Sequence, residues 1–80
     1  MNDKIFSTLK KLLIERYAFD EALIKPNVDL ERELGLDSVD TGDLLCSVEE
    51  TFRVRLSLDE MEKVHTLSDL VRLIKKKKNK

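Results

Sequence analysis

Residues 29–52 read DLERELGLDSVDTGDLLCSVEETF, and within them a turn-rich lead-in gives way to an apolar stripe of helical period. That change decides the architecture. Gly35 and Leu36 bring the chain to Asp37-Ser38-Val39-Asp40, where a helix can begin. Asp37 is suited to cap it, because a short carboxylate can accept an otherwise orphaned amide of the first turn. Asp40, three residues on, stands at the reciprocal capping-box position that Glu or Gln more often fills. Leu44, Val48 and Phe52 then recur every four residues with Leu45 beside them, while Asp43, Glu49 and Glu50 point elsewhere. Gly42 costs this helix about 1 kcal/mol relative to alanine, so it is either tolerated or lets something approach closely.

Working toward the N-terminus, Ile5, Phe6, Leu9, Leu12, Leu13 and Tyr17 fall at helical spacings, with Lys4, Lys10, Lys11 and Glu15 largely on the other side. The pattern predicts an amphipathic helix from Asp3, its expected N-cap, to Tyr17. Phe19-Asp20 and the breaker Lys25-Pro26-Asn27 interrupt it. A connection of roughly 20 residues is longer than a compact domain leaves without purpose. Leu23, Ile24, Val28, Leu30 and Leu34 are expected to pin it to the core.

Toward the C-terminus, Arg53-Val54-Arg55-Leu56 alternates like a strand but has no second strand to pair with, so it is an extended connector. Ser57-Leu58-Asp59-Glu60 is a capping-box sequence opening a short helix that ends near Lys63. Thr66-Leu67-Ser68-Asp69 caps a last helix striped by Leu67, Leu70, Val71 and Ile74. The expected fold is all-α: a four-helix bundle of three longer helices and one short one, with a long loop between the first two. The terminal lysines complement the negative end of the last helix and then are expected to fray. The domain is therefore drawn as residues 1–75, with 76–80 as a basic tail.

Eighty residues with 41% hydrophobic content support one small domain. A single cysteine, Cys46, excludes an intrachain disulfide, and with one histidine there is no cluster for a metal. Cys46 lies beside the stripe and is expected to behave as a small core hydrophobe. The start is too charged for a signal peptide, and no run of about 20 apolar residues could span a bilayer. A soluble, cytoplasmic protein without stable membrane insertion is expected. The net charge of −1 conceals segregation: residues 1–25 carry five basic and four acidic groups, residues 26–51 one and eight, and residues 52–80 nine and four. Such asymmetry governs partner choice and encounter rate more than fold. The lysine run lacks interleaved aromatics and the acidic middle opposes attraction to nucleic acid or to an anionic membrane, so no nucleic-acid partner is expected.

The segment Asp29–Phe52 resembles the acyl carrier protein family, whose attachment motif is usually written Asp-Ser-Leu at a loop-to-helix junction and here reads Asp37-Ser38-Val39. The resemblance extends over essentially the whole chain, through the first amphipathic helix, Glu33-Leu34-Gly35-Leu36, Glu49-Glu50 with Phe52, and the final helix. It implies a bundle of acyl-carrier type in which the Ser38 hydroxyl is esterified by 4′-phosphopantetheine, whose thiol holds acyl intermediates as thioesters. It implies a carrier rather than an enzyme. The partners implied are a phosphopantetheinyl transferase and acyl-transferring or condensing enzymes of fatty-acid, polyketide or related biosynthesis. Their basic docking patches would read Asp37, Val39, Asp40, Asp43, Glu49 and Glu50, with Asp37 and Asp40 foremost. A monomer is expected.

Val39 in place of leucine, Thr41-Gly42, Arg53, Arg55 and the lysine run depart from the usual pattern and point to a specialised member. The alternatives are an aminoacyl carrier, D-alanyl or peptidyl, or an unmodified helical interaction module. A hydrolase built on Ser38 and His65 lacks an activating triad or oxyanion signature.

Overall fold

The computed structural model describes residues 3–78, and among them the helices are α1 (Asp3–Tyr17), α2 (Ser38–Phe52), α3 (Leu58–Glu62) and α4 (Leu67–Lys78). No strand occurs among the described residues; an isolated bridge joins Asp29 and Thr66. The apolar stripes meet as their periods require. Leu9 and Leu13 of α1, Leu44 and Val48 of α2, and Leu67, Leu70 and Ile74 of α4 are almost wholly excluded from solvent, and Met61 of α3 closes the core between them.

Each boundary has a local cause. Ala18 stops α1 in the left-handed region (φ 59°) while its amide still donates to the Ile14 carbonyl. Arg53 ends α2 in the same way (φ 56°), its amide donating to Glu49. The Glu49 carboxylate then accepts the Leu56 amide at 2.9 Å, which turns residues 53–57 back along the bundle as an extended connector. Ser57 and Glu60 form a capping box on α3, and Thr66 and Asp69 exchange side-chain and backbone bonds at the start of α4.

The long α1–α2 connection is ordered by two devices. A single 3-10 turn spans Glu21–Leu23, capped by the Asp20 side chain. Farther on, Asp29 Oδ1 accepts the amides of Glu31 and Arg32, and Glu33 reaches back to the Asp29 amide. The loop is fastened to the entry of α4: Leu30 donates to the His65 carbonyl, Leu67 to Val28 and Ser68 to Pro26. Ile24, Val28, Leu30, Leu34 and Leu36 are buried beneath it. Gly35 adopts φ +71°, a conformation costly for a residue with a Cβ, and this lets the chain turn from the loop into α2.

Four sequence expectations need correction. Leu23 does not pin the loop; it sits on the 3-10 turn and is 50% exposed. Cys46 is exposed rather than core-facing, because two residues past Leu44 is about 200° around a helix and lands opposite the stripe. Asp3 is the first residue of α1 rather than its cap, and the cap position lies outside the described residues. The basic segment does not leave the helix at Lys75, since α4 continues to Lys78. There Lys77 pairs with Glu60 at 2.6 Å and the Lys78 ammonium donates to the Phe52 carbonyl, so the last turn is held to α3 and to the end of α2. Residues 79 and 80 of the expected tail lie outside the described residues.

Candidate functional site

The start of α2 is built as its sequence requires. The Asp37 carboxylate accepts the Asp40 amide at 2.9 Å and Asp40 returns the bond to the Asp37 amide, completing the capping box. The Thr41 hydroxyl and amide both donate to the Asp37 carbonyl. Ser38, the first helical residue, is exposed. Because its neighbour does the capping, the Ser38 hydroxyl has no hydrogen-bond partner among the described residues. The amides of Ser38 and Val39 are likewise orphaned by their position in the first turn. An accessible hydroxyl thus stands beside two unclaimed N–H donors at the positive end of a fifteen-residue helix.

Ser38 opens onto a cleft of about 820 Å³ between the loop, the first turns of α2, and α3. Leu30, Leu36, Leu44, Leu58, Met61 and Val64 provide apolar wall, and Asp29, Glu31, Arg32, Glu62 and His65 supply charged or polar rim. The 62% exposure of Leu58, unusual for a large aliphatic side chain, is explained by this position on the cleft. His65 shares the cleft with Ser38, but no hydrogen bond joins the two, so the serine has no base.

The residues expected to form a recognition surface fall into two groups. Val39 is 80% exposed one position beyond Ser38, Asp37 and Glu50 are exposed and Asp40 is half-buried, the two aspartates also forming the capping box. Asp43 and Glu49 already have work inside the fold. Asp43 accepts two bonds from the Arg16 guanidinium, at 2.8 and 2.6 Å, and one from the Tyr17 hydroxyl at 2.6 Å. The Arg16 hydrogen bond and then that of Tyr17 hold the Asp43 carboxyl far below the usual carboxylate range. Burial, reinforced by the bond to Asp43, pushes the Tyr17 phenol up to about 12. This tie joins the end of α1 to the second turn of α2. Glu49 is spent on the Leu56 amide. Helical periodicity placed both carboxylates off the stripe; their partners, 27 and 7 residues distant in sequence, carry no local signature.

An unbonded serine thus stands on a capped helix start beside an open cleft. The family described as phosphopantetheine attachment site matches residues 7–74. A Thermotoga maritima protein named acyl carrier protein is 35% identical over 75 residues, covering 94% of this chain and 93% of the relative. The chain belongs to the acyl carrier protein family of phosphopantetheine-bearing proteins. Its prosthetic group is covalent 4′-phosphopantetheine, and it is a carrier, not an enzyme. As a family member it interacts with a phosphopantetheinyl transferase and with biosynthetic enzymes.

Proposed function

We propose that Ser38 is the attachment point of the phosphopantetheine arm and that the chain carries acyl groups on it. The observation that carries this reading is the division of labour at the helix start: Asp37 caps, which leaves the Ser38 hydroxyl exposed and unbonded. The residues fit the group. A phosphodiester formed on Ser38 would meet the orphan amides of Ser38 and Val39 and the positive end of α2, all of which favour an anion. When bound, the arm supplies a thiol that holds cargo as a thioester. The chain's own contribution is to anchor that arm, to offer the apolar wall of Leu30, Leu36, Leu44, Leu58, Met61 and Val64 beside it, and to present an address. That wall favours an acyl cargo over a charged aminoacyl one.

The address is formed by Asp37, Val39, Asp40 and Glu50, read by basic patches on partner enzymes through charge attraction that speeds encounter and weakens with salt. Asp43 and Glu49 support this surface indirectly, by fixing the two ends of α2. The setting is a monomer in the cytoplasm; among the described residues no helix is long and apolar enough to cross a membrane.

Incubation with a phosphopantetheinyl transferase and coenzyme A tests the assignment by intact mass. Wild type gains one arm and Ser38→Ala gains none. Equal addition to Ser38→Ala would reject the assignment.

A further inference from the structure

Acidic residues gather before and at the start of α2, and basic residues gather at its other end, where Glu49 and Glu50 also lie. Six of the eight acidic groups in residues 26–51 lie before α2 or in its first two turns: Asp29, Glu31, Glu33, Asp37, Asp40 and Asp43. At the other end of α2, the bond from the Lys78 ammonium to the Phe52 carbonyl brings the last turn of α4 against the connector that carries Arg53 and Arg55. Arg53, Arg55, Lys75, Lys76 and Lys78 are all exposed there. Lys77 is the exception, neutralised by Glu60. The two poles are separated by the length of α2, fifteen residues or about 21 Å of helical rise.

We infer that the pole formed by Arg53, Arg55 and the end of α4 is a docking surface for an anionic lipid bilayer, which holds the protein with Ser38 turned away from the membrane. Three features favour that occupant. The enzyme patches that read the α2 face are basic and would be repelled by this pole. A sequence-independent nucleic-acid site pairs its cations with aromatic stacking platforms, whereas Phe52 at this end is buried. A lipid surface asks only for clustered lysines and arginines within a Debye length of it. The acidic pole does not cancel the attraction. At 0.1 M salt the Debye length is about 10 Å, so the carboxylates around Ser38 stand roughly two screening lengths from a surface that touches the basic end. The contact is peripheral, since no exposed large apolar side chain lies at this pole; those that exist are Leu23, Val39 and Leu58. Orientation follows, because an approach by the Ser38 end sets Asp29, Glu31, Glu33, Asp37 and Asp40 against lipid phosphates.

The proposal does not depend on modification of Ser38 and is tested on the unmodified full chain. Sedimentation with phosphatidylglycerol-containing vesicles should recover the protein at low salt and progressively less as salt rises, with no recovery on pure phosphatidylcholine. Removing one charge should weaken partitioning roughly fivefold, and Arg55→Ala with Lys75→Ala and Lys76→Ala roughly a hundredfold. Lys75→Arg with Lys76→Arg should bind as wild type, which separates lost charge from lost structure, and circular dichroism checks that each variant is folded. In a Cys46→Ser background, a spin label at Arg55→Cys should lose access to a water-soluble relaxation agent on vesicles while one at Ser38→Cys keeps it. Equal recovery on neutral vesicles, no recovery at low salt, protection at position 38 instead of 55, or displacement by a charge-equivalent amount of duplex DNA would each overturn the inference.

Discussion

Replacing Asp43 with alanine should release the only tyrosine of the protein from its perturbed state, and the absence of tryptophan makes this directly readable. In the native fold the Tyr17 phenol is part-buried against α2 and donates to Asp43 at 2.6 Å, which together move its ionisation from 10.0 to about 12. Burial is the larger cause and remains in the variant; the Asp43 bond and charge do not. The freed Arg16 guanidinium now favours the phenolate, so the ionisation should fall by about one pH unit, a difference of about 1.4 kcal/mol at face value and less after solvent screening. The sign for stability follows from linkage. A phenol whose folded pKa is raised contributes fully below pH 10 and loses that contribution as pH rises through about 12. Asp43, with a depressed pKa, contributes above its ordinary value of 3.8 and loses the contribution as pH falls below it. The assay is phenolate absorbance against pH, with circular dichroism recorded in parallel because alkaline unfolding would also return Tyr17 to its ordinary value. A folded wild type that titrates at 10, or an unchanged titration in Asp43→Ala, would refute the α1–α2 tie.

Asp37→Ala removes the cap of α2 and should cost about 1 kcal/mol in urea unfolding, whereas an unchanged midpoint would show that the capping box does not hold in solution. Gly42→Ala should stabilise the protein by about 0.5–1 kcal/mol, because a Cβ built there meets nothing within 4 Å; destabilisation would mean a neighbour approaches after all. Glu60 and Asp69 also have lowered carboxyl pKa values, Glu60 chiefly through Lys77 and Asp69 chiefly through the Thr66 amide. With Asp43 they make stability flat above about pH 5 and falling below it, a trend that thermal melts between pH 3 and 7 would show and that a melt insensitive to acid would contradict.

Local chemistry was the legible part of this chain. The capping boxes at Asp37 and Ser57 and the cap at Thr66 are written within four consecutive residues each, and all three form. The stripes of α1, α2 and α4 declared their buried faces by period, and Gly35 marked the turn into α2. Cys46 faces solvent because its angle on the helix, itself legible in the sequence, overrides the burial habit of its residue type. The Arg16–Asp43–Tyr17 tie, the Glu49 brace on Leu56 and the anchoring of Lys77 and Lys78 were not legible, because each depends on which elements pack together rather than on any local pattern. The same tertiary contacts turned an expected tail into a helical last turn. At the proposed site the serine could be singled out by resemblance and position, but its freedom from hydrogen bonds could not, since that required seeing Asp37 perform the cap.

The assignment of the arm to Ser38 is tested most directly by locating it after transferase loading. Cleavage after arginine and lysine should leave residues 33–53 as one peptide, which contains Ser38, Thr41, Ser47 and Thr51. Ser47 is buried and the Thr41 hydroxyl is bonded to the Asp37 carbonyl, so fragmentation should place the whole added mass on Ser38. Mass found on Thr41, Ser47 or Thr51, or on any peptide outside this one, would contradict the account.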